Sequence, residues 1–180
     1  QAVIFASVVP ALDRKLSAAA AGRFRCPVFA VTPSSPLGLP LKVKAPREVG
    51  ADRIVNALAA RELVGVPAVV VDIGTAVTVD CVTARGEYAG GAIMPGPGLA
   101  AEALRDRTAK LPYVEPGRAA RAIGKDTVDC IRAGLYFGCL GMIREVVART
   151  LEELGGGAVK AGGRAPRPPC CTRERSSPAP

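Results

Sequence analysis

Val69-Val70-Val71-Asp72-Ile73-Gly74-Thr75-Ala76-Val77-Thr78-Val79-Asp80 is the stretch that decides how this chain folds. Three valines run into an aspartate, a Gly-Thr turn follows, and a second β-branched run leaves it. An apolar run entered after Gly65-Val66-Pro67 predicts a buried strand, and Val77 to Val82 predicts a second. Gly74 lets the backbone approach a ligand closely, and the amides and hydroxyls of Thr75 and Thr78 suit phosphate oxygens. Asp72, at the strand's end, is placed to hold a cation beside them. An Asp-containing β-turn between two core strands reads the same residues equally well, because short Gly/Thr/Asp patterns recur by chance.

Downstream, Arg85-Gly86 makes a turn and Tyr88 onward returns toward Gly90-Gly91-Ala92-Ile93-Met94-Pro95-Gly96, which predicts a hairpin. Pro97 to Thr108 reads as a helix with Leu99, Ala103 and Leu104 inward and proline near its start. Lys110 to Gly124 is loop-like. Asp126 or Thr127 then caps the longest periodic segment, with Val128, Ile131, Leu135, Met142, Val146, Leu151 and Leu154 as an apolar stripe and Cys139 roughly in line. Gly134, Gly138 and Gly141 lie within it. Glycine there costs about 1 kcal/mol against alanine, so a closely packed partner helix is expected, from this subunit or a second.

Upstream, residues 2–9 read as a strand closed by Pro10, residues 11–22 as an alanine-rich helix, and Pro27 to Val31 as another strand. Strand, helix, strand begins an α/β layer architecture. In Gly50-Ala51-Asp52-Arg53 a helix starts near Asp52 and carries Ile54, Val55, Leu58 and Leu63 on one face. Asp52 is there either an N-cap, with Arg53 a surface residue, or a carboxylate base for a hydroxyl, with Arg53 a fork for a substrate carboxylate.

The composition narrows the function classes. Without histidine, acid–base work falls to carboxylates. Half of the net charge of +8 sits in residues 160–180, without aromatic interleaving, which argues against nucleic acid as a partner. No apolar run is long enough to span a bilayer. Six cysteines form no CxxC pair, and Cys81, Cys130 and Cys139 fall in apolar-periodic segments, so buried free thiols and a cytoplasmic location are expected. From about Gly155 a Gly/Pro/Arg-rich composition predicts disorder.

Gly50-Ala51-Asp52-Arg53, then Asp72-Ile73-Gly74-Thr75-Ala76-Val77-Thr78, then Gly90 to Gly96, resemble in order and spacing the type III pantothenate kinases, a family that includes the Bvg accessory factors. Ser7-Val8-Val9-Pro10 and Gly124-Lys125-Asp126-Thr127 fit the same pattern, and the likeness covers about residues 2–157. It implies the actin/Hsp70/acetate-and-sugar-kinase fold, two ribonuclease-H-like α/β halves around a nucleotide cleft. Residues 1–64 would be the remainder of the first half and 65–157 the second, with a long helix over 127–154 and a tail over 158–180. It implies ATP-dependent phosphorylation of pantothenate, the first step of coenzyme A synthesis, by a homodimer that needs Mg2+ and a monovalent cation, K+ or NH4+. By resemblance Asp52 is the general base, and Gly50, Ala51, Arg53 and Thr127 join it in the pantothenate site. Thr75 contacts ATP, and Asp72 is a ligand of the monovalent cation.

Three departures qualify this likeness. The family's opening Asp-x-Gly-Asn-Thr strand is absent, and the chain opens on Gln1 inside an apolar run. Leu41-Lys42-Val43-Lys44-Ala45 carries no aromatic where some members place a tyrosine. Val159-Lys160-Ala161-Gly162-Gly163 resembles a remnant of the strand and Thr-Gly-Gly turn with which the family continues, and the Pro/Arg/Cys-rich remainder resembles nothing in it, as a shifted reading frame near residue 160 would explain. The expectation is a fragment, incomplete at both ends, with little kinase activity of its own. Two other readings share the fold: a non-catalytic accessory or regulatory protein, and a kinase for another small hydroxyl substrate.

Overall fold

The computed structural model describes residues 2–7 and 9–155. The expected tail at 158–180 lies outside the described residues. Val3–Ala6 (β1) and Val28–Val31 (β2) pair in parallel, with Val3 opposite Val28. Helix Pro10–Phe24 (α1) connects them. Proline supplies its first turn, where the missing N–H costs nothing. The helix runs past Gly22, the expected stop, because Arg25 adopts the left-handed conformation (φ 48°) and its N–H closes on the Ala21 carbonyl.

The decisive stretch forms strands Ala68–Ile73 (β3) and Ala76–Val82 (β4), and the chain returns through Tyr88–Pro95 (β5). These make an antiparallel sheet in the order β3-β4-β5. Asp72 stands opposite Thr78, and Val70 opposite Asp80. The period of two therefore puts Val70, Asp72, Thr78 and Asp80 on one face and Val71, Val77, Val79 and Cys81 on the other.

Helix Ala51–Leu63 (α2) covers the first face. Its Ile54 and Ala57 pack with Leu39, Ala68, Val82 and Tyr88 in one core cluster. Helix Thr127–Glu153 (α4) meets the sheet from the other side. Helix Pro97–Arg107 (α3) packs on α4 through Ala101, Leu104, Ile131 and Leu135. The result is a mixed α/β arrangement of two helical layers about a sheet. Among the described residues no helix is long and apolar enough to cross a membrane.

Several expected inward positions change. Leu63 is 85% exposed. It lies nine residues after Ile54, and at 100° per residue that is the opposite side of α2. In α3 the buried position is Ala101, which turns Leu99 and Ala103 outward. Cys130 is exposed while its neighbour Ile131 takes the core position, so only Cys81 of the three cysteines is fully buried.

Candidate active site

The residues of interest gather where the start of α2 meets the polar face of the sheet. Gly50 is the N-cap of α2, extended at φ −58° and ψ 140°, and its carbonyl accepts from the Ile54 N–H at 3.2 Å. Asp52 is therefore not the cap. It stands in the first turn, exposed, with Oδ1 accepting, among the described residues, only from the Arg53 backbone N–H at 2.8 Å. One turn later the Asn56 amide donates to Asp72 Oδ2 at 3.0 Å. Residues 52 and 56 share a helix face, so Asp52 and Asp72 flank Asn56 on the same side of the molecule.

Arg53 is anchored on the sheet by one edge of its guanidinium. Its Nε donates to Asp80 Oδ1 at 2.8 Å, and Nη2 lies 2.7 Å from the same oxygen. The Nη2–H does not point along that line, so this buried nitrogen makes an ion-pair contact without a hydrogen-bond partner among the described residues. Asp80 is fully buried. Its Oδ1 also accepts from the Tyr88 hydroxyl at 2.8 Å, and Oδ2 accepts from Thr78 at 3.2 Å. The Arg53 guanidinium sits 5.9 Å over the Tyr88 ring. Leaving one charge of such a pair buried alone costs about 3–5 kcal/mol. Thr78, expected to hold phosphate, serves this cluster instead.

Burial, and then the hydrogen bond to the Asp80 carboxylate, push the Tyr88 hydroxyl well above its ordinary value of 10. The folded protein thus holds a proton that the unfolded chain releases near pH 10. Tyr88 therefore contributes fully below that pH, and the contribution is lost as pH climbs toward the raised folded value. Thermal melts from pH 9 to 11 should show stability falling more steeply in the native protein than in Tyr88→Phe. Parallel curves would contradict the assignment.

Thr75 lies in the β3–β4 turn, exposed, and its hydroxyl has no partner among the described residues. The Gly74 N–H donates to the Ala76 carbonyl and the Gly96 N–H to the Thr75 carbonyl, both at 2.9 Å. The turn is thus clamped from behind by the start of α3, with its hydroxyl side open. Asp72 is likewise exposed, and its Oδ1 has no hydrogen bond among the described residues. Among those residues no three acidic, cysteine or histidine side chains cluster as a metal cage.

Thr127 stands apart. It opens α4 behind the Asp126 cap, whose Oδ1 accepts from the Asp129 N–H at 2.8 Å. With Lys125, Arg107 and Thr108 it rims a cleft of about 1160 Å³ between α3 and α4, floored by Leu104, Ile131 and Leu135. None of residues 50–53 lines that cleft. The structure thus sets Asp52 and Arg53 in the first turn of α2, ties Asp72 to the same helix through Asn56, and leaves Thr127 lining a different cleft.

Asp80, Tyr88 and Asn56 were not singled out from sequence. Asp80 had a signal, since a carboxylate two residues beyond Thr78 in a valine-rich strand must meet a cation if its face is covered.

The family described as type III pantothenate kinase matches residues 1–149. A type III pantothenate kinase of Moorella thermoacetica is 47% identical over 159 residues, 88% of this chain and 63% of that protein. One of Koribacter versatilis is 44% identical over 166 residues, 91% of this chain and 61% of that protein. One of Anaeromyxobacter sp. strain K is 46% identical over 168 residues, 92% and 66% respectively. The chain thus spans less than two thirds of the length of each of these relatives. Among solved structures, a Campylobacter jejuni protein described as a Baf family transcriptional activator matches with a TM-score of 0.53 at 19% identity, over 81% of this chain and 64% of that one. At that identity the likeness concerns the fold alone.

Proposed function

This chain belongs to the type III pantothenate kinase family, and from that premise we propose that its whole protein transfers the ATP γ-phosphate to the hydroxyl of pantothenate. The observation that carries the reading is Asp52. It is an exposed carboxylate at the start of α2, beside an arginine anchored on buried Asp80 and one helical turn from Asn56, whose amide donates to Asp72. Phosphoryl transfer asks for a positioned acceptor of the hydroxyl proton and little covalent chemistry. Asp52 takes that proton. Gly50 and Ala51 shape the approach to it, and the Arg53 donors turned away from Asp80 receive the substrate carboxylate. Thr75 offers its amide and hydroxyl to ATP from the open side of the β3–β4 turn.

Asp72 suits a cation. One exposed carboxylate oxygen, with no cage of acidic ligands among the described residues, suits a weakly bound monovalent ion such as K+ or NH4+. Magnesium, which commonly takes one or two carboxylates plus substrate phosphates, would neutralise charge on the transferring group. The proposal extends to the actin-like fold, with ribonuclease-H-like halves meeting near residues 64 and 65, although the core cluster around Tyr88 crosses that boundary. It extends also to a cytoplasmic homodimer with Thr127 in its pantothenate sites. Gly134, Gly138 and Gly141 face open space, and Phe137 and Met142 are exposed beside them, a surface suited to a second α4.

The test is pantothenate-dependent ATP consumption by the whole protein, with calorimetric titration of pantothenate beside it. Turnover that stops when either pantothenate or the monovalent cation is withheld is the expected result. ATP consumption indifferent to pantothenate, with no heat of binding, would leave an accessory role on the same fold.

A further inference from the structure

We propose that Asp80, together with Tyr88, is a positioning residue that fixes the Arg53 guanidinium for the carboxylate end of the substrate. The inference rests on the kinase reading above. Asp80 is fully buried and cannot touch a ligand in solution, so any influence on the reaction passes through the groups it holds. Those groups are few. Arg53 Nε and the Tyr88 hydroxyl converge on Oδ1 at 2.8 Å each, with Arg53 Nη2 at 2.7 Å. Thr78 occupies Oδ2.

The pairing is lopsided in an informative way. Arg53 presents its Nε edge to a single oxygen, rather than meeting both oxygens with the parallel donors of a fork. Nη2 is buried without a hydrogen-bond partner among the described residues, and the side chain as a whole keeps 16% exposure, so Nη1 is the donor left for a ligand. Tyr88 then holds both partners at once, its hydroxyl on the carboxylate and its ring beneath the guanidinium. The tyrosine is itself fixed by the chain. Its N–H donates to the Pro40 carbonyl and its carbonyl accepts from the Lys42 N–H, at 2.9 and 2.8 Å. A free arginine loses much rotamer freedom when it binds a carboxylate, and one anchored at Nε has already lost it.

The opposite sign, with Asp80 competing against the substrate for the same cation, is the alternative that the experiment decides. The geometry favours positioning: the edge Asp80 uses is not the edge left free. A desolvated arginine that loses its counter-ion should swing toward solvent instead of waiting in place.

In the whole protein, Asp80→Asn keeps an acceptor at Oδ1 and removes the charge. It should raise the Kd and KM for pantothenate about tenfold, the scale for one charge-assisted contact, with KM for ATP within about twofold. Affinity for the alcohol analogue in which the carboxylate is reduced should hardly change. In an Arg53→Ala background the same substitution should add nothing. Tyr88→Phe, which keeps the ring, should shift pantothenate in the same direction by a smaller factor, and it serves as the readout if Asp80→Asn fails to fold. Tighter pantothenate binding in Asp80→Asn overturns the inference, as does equal weakening for pantothenate, its alcohol analogue and ATP. If Tyr88→Phe leaves pantothenate affinity unchanged, the inference is likewise overturned. A native protein that binds no pantothenate at all removes the kinase reading, and this inference with it.

Discussion

Asp52→Asn in the whole protein is expected to lower kcat by at least about 100-fold while leaving the melting temperature nearly unchanged. The factor is the usual scale for removing a general acid–base group. The unchanged stability follows from place. Asp52 is exposed, it is not the cap of α2, and its one hydrogen bond among the described residues is to the neighbouring Arg53 N–H. Asparagine keeps the shape and that acceptor, so pantothenate and ATP should still bind. A decrease in kcat with small changes in both KM values is the signature of an interaction made only in the transition state. Turnover at the native rate would remove Asp52 from the role of base.

Gly96→Ala should be strongly damaging for a single added methyl. A Cβ there would fall against the Gly74 and Thr75 carbonyl oxygens, which are backbone and cannot rotate away. The conformation itself, φ −70° and ψ 162°, suits any residue, so the penalty is one of space. Overpacking of this kind costs about 1–3 kcal/mol, equivalent to several degrees in Tm at this size. Because the clash displaces the Thr75 turn, KM for ATP should rise more than KM for pantothenate. Gly98→Ala, two residues on, is the control. Nothing lies within 4 Å of its added carbon, and alanine favours the helix. Equal melting points for the two variants would show that the turn is not clamped as described.

The elements that could be read from sequence were those whose signal is long and local. The valine run, the hairpin and α4 each carry many repeats of one period, and Asp126 was legible as a cap because a long apolar stripe follows it. Gly50-Ala51-Asp52-Arg53 shows the limit of local rules. Aspartate is a favoured N-cap, yet Gly50 takes that place and frees the carboxylate. Arg53 shows another limit, because its partner lies 27 residues away and only strand register decides that Asp80 faces α2. Leu63 and Leu99 failed as core positions because a few residues of phase error in a short helix move a side chain to the far side. The separation of Thr127 from Asp52 is a fact of packing between elements, which no motif spacing encodes.

The order β3-β4-β5 has a consequence for handling the protein. Among the described residues β3 pairs on one side only, and Val71 and Ile73 on it are exposed. Such a bare, β-branched edge is a template for another copy of itself. Where that edge stays uncovered, concentrated stocks should lose material to slow strand-to-strand polymerisation before they lose it to unfolding. A lysine in place of Val71 would be the first gatekeeper to try.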